Sequence, residues 1–213
     1  MPQESAEELR FVGNVAPAFP LAVLESVRTH DRPEEALEDE DFTVSMSRRL
    51  GMTGMVGIQI HRYETTQRAG GTVRLDEVMG LIRLVLRRAD AEPILHETGQ
   101  RLARHYFRRT PHLWQRVLHR APNKLGLSST RRAAQRALHA IHAGDDIQII
   151  KPLTVRITNC SSARLDNAGT GCTMIAGLLE ELLLLYTGQQ RTVTHTDCIT
   201  RGGRVCEWQA VMD

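Results

Sequence analysis

The residues best equipped for chemistry lie near the C-terminus, in the stretch HTDCITRGGRVC from His195 to Cys206. It holds a histidine, a cysteine three residues on, and a second cysteine eight beyond that. Cys160 and Cys172 complete the chain's four cysteines. Three readings are open. Cys172, His195, Cys198 and Cys206 together make three thiolates and one imidazole, a combination typical of closed structural zinc sites. A dithiol redox pair is the second, although no C-x-x-C is present. The third is a set of buried apolar thiols, since free cysteine is among the most buried residue types and the gap between Cys198 and Cys206 exceeds a usual zinc knuckle. In a regular strand His195 and Cys198 would face opposite sides, so a shared ion requires a bulge or a strand end between them.

A second concentration of chemistry is cationic. Arg101, Arg104, Arg108, Arg109, Arg116, Arg120, Arg131, Arg132 and Arg136 crowd one stretch. They suit an anion site for phosphates or ligand carboxylates, or else form the solvated faces of two or three helices. Nucleic acid is not expected, because few aromatics interleave with them for bases to stack on. No dinucleotide-binding fingerprint is present. GMTGMVG, Gly51 to Gly57, is glycine-rich but lacks the strand–turn–helix context and reads as loop.

These residues must be held by ordinary elements, and the composition supports them. The chain has 213 residues, is 41% hydrophobic and 24% charged, and carries a net charge of +2. That is the composition of a soluble globular protein able to bury a sizeable core. The longest apolar run, LLEELLLLY from Leu178 to Tyr186, is interrupted by two glutamates and falls short of the roughly 18 residues of a membrane span. The N-terminal MPQESAEELRF lacks the basic-then-apolar order of a secretory signal. The expectation is a cytoplasmic protein with reduced thiols and no membrane span.

Residues 1–42 read as a loosely held arm with Pro17, Pro20 and Pro33, ending in the acidic PEEALEDEDF. Residues 43–63 are glycine-rich with a short alternating end that suits a strand, and TTQRAGGT follows as a loop. The middle is helical. Leu75, Val78, Met79, Ile82, Val85 and Leu86 form a stripe, Pro93 starts a second helix closed by Pro111, and HLWQRVLHR stops before Pro122. A fourth helix follows a cap at Ser128 or Ser129 and ends at Gly144. The period then changes. Ile147 to Thr158 is one strand or two meeting at Pro152, GCTMIAGLLEELLLLY is a helix ending before Gly188, and two strands close the chain around Gly202 and Gly203. The predicted class is α+β, a helical layer packed on a C-terminal antiparallel sheet.

The C-terminal third resembles the 4-vinyl reductase domain family, ligand-binding modules related to the sensor domains of aromatic-responsive activators and to TRAPP trafficking subunits. The features that carry the resemblance are GCTMIAGLLEELL and the H-T-D-C-I-T-R-G-G-R-V-C-E-W run. Upstream, ETGQRLARHYFRRTPHLWQRVLHRAPNKLG is similar to the branch of the family that acts in bacteriochlorophyll biosynthesis. The resemblance covers residues 73–213 as one ligand-binding domain and leaves 1–72 as an N-terminal arm or extension.

The resemblance implies a zinc ion held by Cys172, His195, Cys198 and Cys206. Histidine stands at 195 where relatives more often have glutamate, and Cys160 is the reserve ligand. It also implies a tetrapyrrole ligand, a Mg-porphyrin or chlorophyllide. Leu102, Tyr106, Phe107, Trp114 and Leu118 are then candidate walls. Arg101, Arg104 or Arg108 would meet the propionates, and His105, His112, His119, His139 or His142 would supply an axial nitrogen. A closed four-ligand zinc leaves no open position for chemistry, and no hydride-donor site is visible. A substrate carrier or accessory factor for an enzyme of the bacteriochlorophyll pathway, with a homodimer possible, fits better than a vinyl reductase using an external reductant. A small-molecule sensor and a TRAPP-like scaffold are the remaining alternatives.

Overall fold

The computed structural model describes residues 11–31, 55–118, 123–142, 146–166 and 168–211. Among them are seven helices and two antiparallel sheets, an α+β protein. The helices are α1 (Ala18–His30), α2 (Met55–Arg68), α3 (Leu75–Val85), α4 (Ala91–Arg108), α5 (His112–Leu118), α6 (Asn123–Ile141) and α7 (Thr173–Thr187). Strands β1 (Asn14–Val15) and β2 (Val73–Arg74) pair with each other. The larger sheet holds β3 (Asp146–Ile150), β4 (Thr154–Thr158), β5 (Val193–Asp197) and β6 (Cys206–Ala210), in the order β3-β4-β6-β5.

Helix α7 is the axis of the fold. Its sequence is apolar nearly all round, and Met174, Ile175, Leu178, Leu179, Leu182 and Leu183 are all buried, as a helix enclosed on every side must be. The Thr170–Thr187 segment has the length and mean hydropathy, 1.2, of a membrane span, yet most of it is buried here. Its two glutamates are paired: Glu180 with His96 of α4 at 2.8 Å, Glu181 with Arg104 of α4 at 2.8 Å. Helices α4 and α7 touch through their backbones. A Cβ on Gly99 would overlap the Met174 carbonyl, and one on Gly177 would overlap that of His96. Only glycine permits that approach.

The sheet contributes Val155, Ile157, Cys206, Trp208 and Ala210 to the same core. Strand β6 sits between its two partners, with Val155 opposite Trp208 and Ile157 opposite Cys206. The segment Ile147–Thr158 is two strands, β3 and β4, turning at Pro152.

Four expectations from sequence are corrected. Residues 14–30 are not a loose arm: Phe19, Val23 and Val27 of α1 are buried against the common core. Pro17 precedes that helix and Pro20 lies in its first turn, where no backbone N–H is needed. The alternating VGIQI belongs to α2 rather than a strand, because Val56, Ile60 and fully buried Tyr63 fall on one helical face. TTQR continues that helix, and the loop is confined to the glycines after it. Helix α6 begins at Asn123, five residues before Ser128, and runs through both serines. Gly126 lets this added turn pack on the end of α7, since a Cβ there would lie 2.7 Å from the Tyr186 carbonyl oxygen. The acidic PEEALEDEDF and GMTG of residues 51–54 lie outside the described residues.

Candidate metal centre and the arginine-lined cleft

Cys172 closes the short 3₁₀ turn Thr170–Cys172 and opens α7. The turn is entered through Gly169 at φ 77°, and a Cβ there would stand 3.2 Å from the Cys198 sulfur. Cys206 is the first residue of β6 and Cys198 follows β5 directly. Between them the 3₁₀ turn Ile199–Arg201 ends in Gly202 at φ 87°, and the Gly203 N–H donates to the Cys198 carbonyl at 2.9 Å. The register of β5 on β6 shifts between His195, opposite Trp208, and Asp197, opposite Glu207. That bulge removes the alternation that would separate His195 from Cys198.

The ligand atoms of Cys172, His195, Cys198 and Cys206 all lie within 4.8 Å of one another and can hold a metal ion. The Cys198 and Cys206 sulfurs are 3.9 Å apart, close to the ~3.8 Å edge of a tetrahedron with ~2.3 Å metal–sulfur bonds. The three cysteines are buried and His195 is half-buried. His195 stacks flat on Trp208 with ring centroids 4.8 Å apart, and Trp208 Nε1 donates to the Cys172 carbonyl at 3.2 Å. The Nε2 atom of His195 is buried without a hydrogen-bond partner, which suits a nitrogen reserved for a metal. Its Nδ1 lies 3.2 Å from Arg201, whose guanidinium also donates to the His195 carbonyl at 3.3 Å.

The sulfurs repel multiple ionisation. The Cys160 and Cys206 sulfurs, with burial, push the Cys172 thiol far above the ordinary thiol range. Hydrogen bonds from Cys172 and Cys206 hold the Cys160 thiol well below it, against its own burial. A bound cation would offset the repulsion between thiolates packed this closely. Cys160 thus reaches Cys172 and Cys206, and lies 3.1 Å from Ser162 Oγ, but it is outside the mutually close set of four. Sequence reasoning missed Trp208, Arg201 and Gly169. The C-E-W order at Cys206 was the available signal for the first, because it sets the indole two residues from a ligand on the same strand face.

The arginine-rich stretch separates into parts. Arg101, Arg104, His105 and Arg108 of α4 line a cleft of about 400 Å³, closed by Leu21 and Ala22 of α1 and by Gln67 and Arg68 of α2. Arg101 is bound by Glu97 at 2.7 Å and Glu25 at 3.2 Å, and Arg104 by Glu181. Arg108 makes no ion pair among the described residues. His105 Nε2 and Gln67 Oε1 are buried without hydrogen-bond partners. Burial, then the Arg109 and Arg108 charges, lower the His105 pKa and favour a neutral ring.

Tyr106 and Trp114, expected as walls for a ligand, do not line this cleft. One residue further along α4 turns Tyr106 edge-on to His105, at 5.3 Å, and burial raises its phenol pKa. Trp114 lies on α5, beyond the break at Pro111, and is exposed. Leu102 is core, Phe107 packs edge-on against Tyr186 at 5.0 Å, and His112 and His139 are exposed. The side chains of Leu118 and His119 lie outside the described residues, and His142 is buried.

No protein-family model, curated protein or solved structure matches the chain.

Proposed function

We propose that this protein is a zinc-stapled carrier for a carboxylate-bearing tetrapyrrole, with a fold like that of the 4-vinyl reductase domain, that delivers its ligand to an enzyme of bacteriochlorophyll biosynthesis. The identity of the ligand rests on the sequence resemblance. The observation that carries a binding role is the cleft, where four expected ligand residues converge with two buried, unpartnered polar atoms. Arg108, unpaired among the described residues, is positioned for a propionate. Arg101 and Arg104 are held by their carboxylate partners and set the positive field around it. A neutral His105 offers Nε2 to a central magnesium or to a polar group on the ligand. Soft thiolates with one imidazole favour zinc over the oxygen-seeking cations. Bound there, zinc supplies positive charge to a site that repels thiolates and ties α7 to the β5–β6 hairpin.

The test is one preparation, purified without added metal and assayed twice. Elemental analysis is expected to give about one zinc per chain. Titration with a chlorophyllide or Mg-porphyrin is expected to shift the pigment spectrum at micromolar protein. No spectral change sinks the carrier reading. Turnover of a divinyl substrate with NADPH by the purified chain alone would replace it with an enzyme.

A further inference from the structure

Charge is unevenly distributed along this chain. Between Thr98 and Gly144 there are ten Lys and Arg residues and no Asp or Glu; all 25 acidic residues and the other 17 of the 27 basic ones lie elsewhere. The acid-free stretch comprises most of α4, all of α5 and all of α6. A small net charge therefore conceals a strongly polarised sequence.

The same stretch builds one end of the helical part of the fold. Thr110 Oγ1 lies 2.8 Å from Tyr186 Oη, and Phe107 packs on the Tyr186 ring. Gly126 abuts Tyr186 and Thr187, so the start of α6 meets the end of α7 there. Gln115 Nε2 donates to the Thr110 carbonyl at 2.8 Å and fixes α5 against the end of α4. Four large apolar side chains stand exposed on these elements: Leu113 at 74%, Trp114 at 56%, Leu125 at 53% and Leu184 at 39%. Beside them Arg108, Arg109 and Lys124 have no carboxylate partner among the described residues, and Arg109 lies over the Tyr106 ring at 5.9 Å.

We propose that this end of the protein docks on the surface of an anionic phospholipid bilayer. Leu113 and Trp114 enter the headgroup–acyl boundary, where indole is at home, and the cations meet lipid phosphates. Nucleic acid would answer the charge but offers nothing to three exposed leucines. A second copy related by a two-fold axis would bring like charges together. An anionic surface with an apolar interior satisfies both halves of the patch. Docking in this way places the mouth of the cleft, which shares Arg108, near the membrane surface.

The full-length protein supplies its own probe. Of the two tryptophans, Trp208 is fully buried, so a lipid-induced change in emission reports Trp114. With vesicles of phosphatidylcholine plus phosphatidylglycerol, the protein is expected to co-sediment. Its emission is expected to shift blue and be quenched by brominated acyl chains. Phosphatidylcholine alone gives neither, and raising salt weakens the effect. The double variant Leu113→Ser, Trp114→Ser is expected to lose about tenfold or more in vesicle affinity. Both side chains are exposed, so its thermal midpoint should match the parent's. The proposal fails if the mixed vesicles bind no protein, or if the double variant sediments as well as the parent. It also fails if the blue shift grows with protein concentration without lipid, or if a single-stranded oligonucleotide binds Trp114 more tightly than the vesicles do.

Discussion

The two sites of this molecule are built on opposite plans. At the candidate metal centre every donor is held from behind: Cys172 by a turn and a helix start, His195 by the Trp208 ring, Cys198 by the Asp197 carboxylate that accepts its N–H at 2.8 Å, and Cys206 by its strand pairing with Ile157. The cleft is walled by long cationic side chains, three of them already engaged by carboxylates of the protein itself. A crowded, buried cluster fixes geometry and, on the proposed reading, would gain its stability from an ion. A cationic cleft with spare donors suits the proposed ligand, which must arrive and leave. Mutation of the first should therefore read out in stability, and mutation of the second in binding.

The sharpest way to break that contrast is at the metal. Cys198→Ser is expected to lose the ion and to lower stability by about 3 kcal/mol or more, some 6–12 °C in thermal midpoint for a chain of this size. A chelator should reproduce the loss in the parent and have no effect on the variant. Next in size is Gly99→Ala, which forces a methyl group into the α7 backbone. A loss of about 2–3 kcal/mol is expected in denaturant melts, with metal content retained. A wild-type midpoint for this variant would mean that the two helices are free to part.

The cleft is probed by Arg108→Ala. It should leave the melt unchanged within about 0.5 kcal/mol, because the side chain is exposed and makes no ion pair among the described residues, while pigment affinity falls about tenfold. Equal losses in both measurements would erase the distinction between the sites.

The smallest effect is a pH dependence. The Glu180 hydrogen bond raises the His96 pKa above 6.5, against its burial. Burial of Glu180 works the other way, but the hydrogen bonds from His96 and the Val193 N–H bring its pKa below 4.5. The His96 contribution is complete below pH 6.5 and fades as pH rises through its raised value. That of Glu180 is complete above pH 4.5 and fades as pH falls through its lowered value. The pair thus supports the fold most fully between those limits. Because both groups are partly exposed, about 0.5 kcal/mol is at stake. His96→Gln should remove the alkaline decline from a pH series of thermal midpoints.

What the sequence made legible follows from where local signals are strong. The four candidate ligands could be read from residue type, and the three-residue step from His195 to Cys198 already required the bulge that β5 adopts. The apolar helix and the closing hairpin stood out because period and glycine punctuation agree. Helices α1 and α2 did not, since prolines and charged neighbours mask a burial that only tertiary contact reveals. Without those two helices the cleft has one wall, so neither Gln67 nor the separation of His105 from Tyr106 could be foreseen. Gly99 and Gly177 were visible as glycines inside helical patterns, but their meaning needs both helices at once.

The crossing of α4 on α7 decides which parts of the protein can move. Backbones in contact through paired glycines leave no soft layer of side chains to shear, and the Arg104–Glu181 and His96–Glu180 bonds pin the same joint. One side of the cleft is accordingly a fixed anvil, continuous with the metal centre through α7. The facing walls, α1 and α2, are joined to that side by side chains, Arg101 to Glu25 of α1 among them, so under the proposed carrier role they are the side that would yield to a bulky guest.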